Sequence, residues 1–212
     1  MTNIQKRILT SSVILPLSIF LIAEGEHYLS LFLIFILFVG LHELFTTFKK
    51  IKSILFLFSI LALSLLSIFY LRNYSDLGKF FLLFIIGVSV SSDIGGYIFG
   101  KIFKWKKFTK ISPKKTISGV FGSYFLSIVF LVVLMNDYFS SNITIPPMIY
   151  LHTILLSTMA QVGDLIVSYF KRLEKIKDTG KILPGHGGIF DRIDGLMFAL
   201  IFGAINFHYF IS

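Results

Sequence analysis

Four aspartates lie close together in one polar stretch of an otherwise apolar chain. The segment 161–195 contains Asp164, Asp178, Asp191 and Asp194, together with several lysines and arginines. The chain has no cysteine, so thiolate ligands are excluded. The aspartates offer hard carboxylate oxygens, which suit Mg²⁺ together with substrate phosphates. The set predicts a magnesium site that handles a phosphorylated substrate. The alternative is that Asp191 and Asp194 simply begin a helix, whose dipole favours negative charge there.

Asp164 begins a polar stripe. Ser168, Lys171 and Arg172 follow it by four, seven and eight positions, and in a helix such side chains share one face. A carboxylate, a hydroxyl and two cations would then line one side of a membrane helix. This pattern favours a reactive site, and an intramembrane salt bridge with basic end caps is the alternative.

The turn at 184–188 has the sequence Pro-Gly-His-Gly-Gly. Glycine tolerates positive φ, and successive backbone N–H groups in such turns form anion-binding nests. Gly187 and Gly188 are therefore candidates for phosphate binding. His186 adds a hydrogen-bond donor or proton-transfer group, although an isolated loop histidine is more often structural.

A Ser-Pro-Lys-Lys-Thr segment that begins at Ser112 is a second candidate phosphate site. Serine as N-cap and proline in the first helical position predict a helix start. A helix N-terminus beside Lys114 and Lys115 would attract phosphate, and contacts of these lysines with anionic lipid headgroups are the alternative. Gly119 and Gly122 follow, small residues that let membrane helices approach closely.

Two further acids, Glu43 and Asp93, lie in apolar stretches. A charge at the centre of a membrane helix costs about 2.5–3.5 kcal/mol on insertion scales, so it usually has a partner or a function. Asp93 shares a helix face with Tyr97, and Gly96 and Gly100 lie on an adjacent face. Asp93 and Tyr97 are candidates for substrate binding, with close helix packing around a polar pair as the alternative. Glu43 ranks lower.

The composition predicts an all-α polytopic membrane protein. Of 212 residues, 55% are hydrophobic and only 15% are charged, against roughly 25% charged in soluble domains. Mean hydropathy is +0.84, and apolar stretches long enough to cross a bilayer of about 30 Å recur along the chain. About seven spans are predicted, at 8–23, 27–48, 52–71, 79–103, 116–135, 145–170 and 192–211.

The basic residues predict the orientation of these spans. With the N-terminus in the cytoplasm, all of the 20 lysines and arginines except Arg72 and Lys79 fall on the cytoplasmic side. The net charge of +9 is then explained by topology, without nucleic acid as a partner. The first span lacks a small-x-small cleavage pattern, which predicts a retained helix. We expect one membrane domain over 1–212, with N-terminal helices in 1–75, catalytic helices in 76–212, and cytoplasmic loops at 101–115 and 171–191.

These features together predict a cytoplasm-facing cavity in the membrane, with carboxylates for a hard metal, lysines for phosphates and apolar walls for acyl chains. A metal and lysines acting on phosphate neutralise charge and align an in-line displacement. The residues alone therefore indicate phosphoryl or nucleotidyl transfer to a lipid.

One stretch of the chain also resembles the signature of the CDP-diacylglycerol synthases, or phosphatidate cytidylyltransferases. The residues that carry the resemblance are Ser168, Phe170, Lys171, Arg172, Lys177, Asp178, Gly180, Leu183, Pro184, His186, Gly187, Gly188, Ile189, Asp191, Arg192, Ile193 and Asp194. The likeness extends to Asp93, Tyr97, Gly100 and Lys101, and to 112–116. A pattern with this many fixed polar positions is highly specific.

The resemblance implies transfer of CMP from CTP to phosphatidate by a multi-helix protein of the bacterial inner membrane, with its active site facing the cytoplasm. It also implies Mg²⁺, with room for a second cation, and leaves a homodimer open. On this sequence it points to Asp164, Asp191, Lys171 and Arg172 as the catalytic residues. Asp164 and Asp191 are the first metal ligands that it implies, and Asp178 and Asp194 are the second ones. It assigns phosphate or substrate binding to Ser112, Lys114, Lys115, Ser168, Lys171, Arg172, Lys177, His186, Gly187, Gly188, Arg192, Asp93 and Tyr97.

Two departures and two rival functions accompany the resemblance. The chain is short for that family, and Gly195 replaces a small hydroxyl residue that often follows the last aspartate. A CTP-dependent polyprenol or phytol kinase would share the lipid cavity but transfer the γ-phosphoryl group. A transporter that couples flux to intramembrane acids belongs to a different class. The unbroken pattern over 168–194 favours the cytidylyltransferase.

Overall fold

The computed structural model describes residues 16–18, 20–109, 111–112, 115–138, 147–180 and 187–211. Two predicted substrate-binding residues, Lys114 and His186, lie outside the described residues, as does most of the span predicted at 8–23. The described end of that span, 16–18 and 20–24, is helical.

The described chain is built from six long helices. They are α1 (Glu26–Thr47), α2 (Ile51–Tyr74), α3 (Asp76–Phe103), α4 (Ile117–Tyr138), α5 (Pro147–Leu173) and α6 (Phe190–Ile211). Among the described residues no strand forms, and an isolated bridge joins Lys107 to Thr116. The all-α fold is therefore confirmed. Helices satisfy their own backbone hydrogen bonds, which a chain in lipid requires.

Five of these helices are long and apolar enough to cross a membrane. The candidate spans are His27–Thr47, Ile51–Tyr74, Asp76–Phe103, Ile117–Asn136 and Pro147–Leu173. Many of their large apolar side chains are exposed, among them Phe35, Phe38 and Leu66, as expected where hydrocarbon is the surrounding solvent. The prediction of a multi-pass membrane protein is confirmed. Helix α6, at 22 residues, lies outside this set.

Glycines set the spacing of two helix pairs. A Cβ on Gly95 of α3 would overlap the carbonyl oxygen of Gly122 on α4, so these two helices touch through their backbones. A Cβ on Gly195 of α6 would lie 2.6 Å from the carbonyl oxygen of Ala160 on α5. The predicted close approach at Gly122 is confirmed. The glycine that departs from the family pattern, Gly195, brings α5 and α6 together beside the acidic residues.

Contacts at both ends show how the helices alternate. At one end Arg72 of α2 donates hydrogen bonds to the carbonyl oxygens of Ile22 and Ala23, and the Tyr70 hydroxyl lies 3.2 Å from His208 Nε2 of α6. At the opposite end, Lys50 Nζ donates to the Leu173 carbonyl oxygen at 2.9 Å. The start of α1 and the ends of α2 and α6 therefore lie together at one end, and the start of α2 and the end of α5 lie together at the other.

Candidate active site

The predicted helix start at Ser112 is wrong. Helix α4 begins at Ile117, and the Thr116 hydroxyl accepts the Gly119 N–H at 3.1 Å, the contact that an N-cap makes. Before it, the Lys115 N–H donates to the Ser112 carbonyl oxygen at 3.0 Å and Thr116 bridges to Lys107. The bridge and the cap place Thr116 just outside the helix, so the helix starts after it.

Lys115, two residues before α4, contacts α5. Its Nζ lies 2.6 Å from Asp164 Oδ2 and donates to the Gln161 carbonyl oxygen at 3.2 Å. The Ser168 hydroxyl donates to Asp164 Oδ1 at 3.2 Å, which confirms that Asp164 and Ser168 share a helix face. The two ionic side chains keep 24% and 29% of their surface exposed, so this pair is accessible from outside.

A second lysine–aspartate pair joins α5 to α6. Lys171 Nζ lies 2.9 Å from Asp191 Oδ1 and 4.0 Å from Asp194 Oδ2. The Lys171 and Asp191 side chains are only 9% and 7% exposed. Lys171 therefore points across to α6, although its position in the sequence had placed it on the face of Asp164.

The carboxylate of Asp191 is held by backbone groups as well. Its Oδ2 accepts the Thr179 N–H at 2.8 Å and the Gly188 N–H at 3.0 Å. Burial raises the pKa of Asp191, but the Lys171 ammonium and these two N–H groups lower the pKa by more. The net pKa lies below the ordinary value, so Asp191 is ionised at neutral pH.

Carboxylates on three helices lie near enough for their charges to influence one another. The charges of Asp93 on α3, Asp164 on α5 and Asp194 on α6 interact with one another, and Asp194 also accepts the Gly195 N–H at 2.9 Å. Within the described ranges, no three histidine or acidic side chains gather closely enough to hold a metal ion. The predicted metal ligands Asp164 and Asp191 instead form bonds with lysine side chains, a hydroxyl and backbone N–H groups.

The described part of the glycine turn, Gly187 and Gly188, lies against Asp191. Gly187 has a φ of +89°, so the predicted positive φ is confirmed there. A Cβ at this position would also lie 2.7 Å from Asp191 Oδ2. The N–H of Gly188 donates to Asp191, so in this structure it binds the protein's own carboxylate.

Other predicted residues surround this centre. Arg172 is exposed on the last turn of α5 and donates to the Ile176 carbonyl oxygen of the following loop at 2.9 Å. Lys177 and Asp178 are exposed in that loop, and Arg192 is exposed on the first turn of α6. Tyr97, near the end of α3, is exposed, and Lys101 Nζ lies 5.7 Å from its ring centroid.

The residues that sequence reasoning underrated are Glu43 and Thr179. Glu43 is 1% exposed and accepts hydrogen bonds from the Thr179 hydroxyl and from the Ile189 and Phe190 N–H groups. A carboxylate inside an apolar helix was the available signal for Glu43. Nothing in the sequence around Thr179 pointed to its role.

Comparison with known proteins gives a family context for this geometry. The chain is 42% identical over 132 residues to a phosphatidate cytidylyltransferase of Staphylococcus saprophyticus, covering 62% of this chain and 50% of the relative. It is 46% identical over 125 residues to a phosphatidate cytidylyltransferase of Staphylococcus epidermidis, covering 58% of this chain and 47% of the relative. The chain thus spans about half the length of these curated relatives.

A family model gives a longer match. The model described as the cytidylyltransferase family matches residues 46–210, most of the chain, and this range contains Asp93, both lysine–aspartate pairs and the turn at 187–188. The chain belongs to the cytidylyltransferase family.

Proposed function

We propose that this chain transfers the CMP group of CTP to phosphatidate, forming CDP-diacylglycerol and pyrophosphate for phospholipid synthesis. Family membership and 42–46% identity to proteins named phosphatidate cytidylyltransferase support this proposal. The observation that carries it is that two lysine–aspartate pairs, Lys115–Asp164 and Lys171–Asp191, lie at one end of a membrane helix bundle, with Asp194 4.0 Å from Lys171. Such a site combines acids for a metal, cations for phosphates and access to lipid.

The donor set fits Mg²⁺ by its chemistry, because the acids offer hard oxygen ligands. Mg²⁺ is usually held by one or two carboxylates plus substrate phosphates, so a site without three gathered acids is compatible with it. Asp164 and Asp191 would hold the ion first, with Asp178 and Asp194 as secondary ligands, and a second cation is compatible with the four acids. When bound, the ion neutralises phosphate charge and polarises the phosphoryl oxygen.

The chain's own cations would bind and orient the two anionic substrates. Lys115 and Lys171 lie closest to the acids, and Ser112, Lys114 and Arg172 are expected to add phosphate contacts. A phosphate oxygen of phosphatidate then attacks the α-phosphorus of CTP. The new bond joins that oxygen to the α-phosphorus, and the bond between the α-phosphorus and its bridging oxygen to the β-phosphate breaks. Pyrophosphate leaves, and since the attacking oxygen is already anionic, no strong general base is needed.

The remaining substrate contacts belong to the same proposal. Ser168, Lys177, His186, Gly187, Gly188, Arg192, Asp93 and Tyr97 are the further residues expected to contact CTP or phosphatidate. The Gly188 N–H already donates to Asp191, so its contribution would be indirect. Tyr97 and Arg192 are exposed, which leaves their side chains accessible to a lipid headgroup.

We also propose a seven-span topology with the N-terminus and the active site in the cytoplasm of a bacterium, in its inner membrane. In this arrangement α6 is the seventh span and the segment before α1 is the first. The described lysines from 49 to 52, 101 to 107 and 171 to 177 lie at the same end as the acids, which supports one basic face. The chain would form one domain, and assembly as a homodimer is compatible with this topology.

A labelling experiment tests the reaction. The purified full chain in detergent is given phosphatidate, Mg²⁺ and CTP labelled at either the α- or the γ-phosphate. We expect the α-label in the lipid fraction, release of pyrophosphate, and no lipid label after chelation or without phosphatidate. Transfer of the γ-label to lipid, or no transfer of either label, would overturn the proposal.

A further inference from the structure

A buried acid on α1 reaches the start of α6. Glu43 accepts the Ile189 N–H at 2.6 Å through Oε2 and the Phe190 N–H at 3.2 Å through Oε1. Its Oε1 also accepts the Thr179 hydroxyl. Backbone N–H groups at the first turn of a helix have no partner within the helix, so Glu43 satisfies them from a distant helix.

Thr179 links Glu43 to the proposed ligand Asp191. Its hydroxyl donates to Glu43, whereas its backbone N–H donates to Asp191 Oδ2 at 2.8 Å. Gly188 lies between the same two acids. Its N–H donates to Asp191 at 3.0 Å, and a Cβ there would overlap Glu43 Oε1 and Thr179 Oγ1. Two carboxylates thus bind one short stretch of backbone, Asp191 at Gly188 and Glu43 at residues 189–190.

We propose that Glu43 is a positioning residue for Asp191. It fixes Thr179 and the backbone of 188–190, and these groups in turn fix the Asp191 carboxylate opposite Lys171. Glu43 lies outside residues 46–210, the range that the family model matches, so this role extends the site to α1. The role in catalysis rests on the proposed function, whereas the coupling between the two acids does not depend on it.

A purely structural role for Glu43 makes a different prediction, and Glu174 provides the matched control. Glu174 accepts the Lys49 and Lys50 N–H groups at 3.4 and 3.1 Å and the Ser53 hydroxyl at 3.3 Å. It therefore caps the start of α2 as Glu43 caps the start of α6. In the described part of the chain, its hydrogen bonds go to α2 and not to the backbone around Asp191.

The test compares Glu43→Gln with Glu174→Gln in the purified full chain, by hydrogen–deuterium exchange resolved to single amides. The informative amides are those of Thr179 and Gly188, which donate to Asp191 and not to Glu43. We expect Glu43→Gln to speed their exchange about tenfold, and Glu174→Gln to leave them within about twofold of the wild type. Unchanged exchange in Glu43→Gln, or equal acceleration in both variants, would overturn the coupling.

Mg²⁺ titration supplies the second readout. Residues that orient a metal ligand typically contribute about 10- to 100-fold to metal affinity. The Mg²⁺ concentration that gives half of the maximal thermal stabilisation should rise at least about tenfold in Glu43→Gln and stay unchanged in Glu174→Gln. An equal Mg²⁺ requirement in Glu43→Gln and the wild type would overturn the positioning role.

A milder variant covers the case in which Glu43→Gln does not fold. Thr179→Val keeps the shape of the side chain but removes the hydroxyl. It should therefore speed exchange of the Gly188 amide, as Glu43→Gln does. Exchange at the wild-type rate would contradict the coupling. If the wild-type chain transfers no label from CTP, the proposed function fails, and the exchange experiment still decides whether Glu43 holds the backbone around Asp191.

Discussion

The two lysine–aspartate pairs of the site differ in their access to solvent. The Lys115–Asp164 side chains are 24% and 29% exposed, and the Lys171–Asp191 side chains are 9% and 7% exposed. Asp164 is held by one ammonium and one hydroxyl, whereas Asp191 also accepts two backbone N–H groups. An exposed pair of charges is worth about 0–1 kcal/mol, whereas removing one partner of a buried pair costs about 3–5 kcal/mol.

This difference indicates a division of work within the site. A carboxylate has about four lone-pair sites, and three of those on Asp191 accept bonds in the described structure. Asp191 is therefore held in place, and one lone pair on its Oδ1 remains for a metal ion. Asp164 has more free lone pairs and a partner in solvent contact, so it is the easier acid for an incoming cation or phosphate to reach.

The largest effect is expected for Asp191→Asn. It leaves the buried Lys171 ammonium without its main partner, which should lower the free energy of unfolding by about 3 kcal/mol, the low end of the buried-pair range, because Asp194 lies 4.0 Å away. Turnover should also fall below detection. Thermal unfolding in detergent and label transfer from CTP measure the two effects.

Asp76→Asn is the matched control for this change. Asp76 pairs with Lys79 at 2.9 Å at the opposite end of the bundle, with 96% of the acid side chain exposed. It should leave both thermal unfolding and turnover at the wild-type values. If Asp191→Asn unfolds at the same temperature as Asp76→Asn, the buried pair is not the fixed part of the site.

The next effect is expected for Asp164→Asn, where activity and stability should separate. Removing this acid should lower turnover by about 10²–10³-fold, as the loss of a group that stabilises transferring charge does. The unfolding free energy should change by no more than about 1 kcal/mol, because the pair is partly exposed. Circular dichroism melting and the CTP assay on the same sample test the separation. A large loss of stability, or retained turnover, would contradict it.

A smaller effect is expected for Lys115→Met. This lysine can release Asp164 and bind phosphate, so its loss should raise the KM for CTP about tenfold while the chain stays folded. Added salt should raise the wild-type KM as well, because ions screen an exposed charge. Lys52→Met, which removes an exposed lysine at the start of α2, is the control. Equal KM values in both variants would show that Lys115 acts only through general charge.

The sequence predicted local geometry better than partners across helices. The bond from Ser168 to Asp164 follows from helical spacing alone, because residues four positions apart share a face. The partner of Lys171 does not, because it depends on how closely α6 approaches α5 at Gly195. Spacing within one helix says nothing about that distance, so the sequence placed Lys171 beside Asp164 instead of Asp191.

The same limit explains the misplaced cap and the underrated acid. Ser112 matched the pattern of an N-cap, but the bridge between Lys107 and Thr116 keeps the chain out of a helix until Ile117. Glu43 has its partners at 179 and 189–190, far along the chain, and no local pattern encodes such a contact. The helix type and approximate bounds of the described spans, by contrast, followed from apolar stretches of membrane length.

The smallest predicted effect on activity concerns the spacing between α5 and α6. In Gly195→Ala the new Cβ would lie 2.6 Å from the Ala160 carbonyl oxygen, so α5 and α6 must separate slightly, at a cost of about 1–3 kcal/mol. Gly203→Ala on the same helix is the control, because its Cβ would meet the flexible end of the Ile85 side chain.

Separation of the helices would lengthen the Lys171–Asp191 contact, which joins α5 to α6, but not the Lys115–Asp164 contact, which joins the loop before α4 to α5. The unfolding temperature should therefore fall in Gly195→Ala alone. The KM for CTP, which depends on Lys115, should stay at its wild-type value. A raised KM with unchanged unfolding would mean that the exposed pair, and not the buried one, senses the distance between these helices.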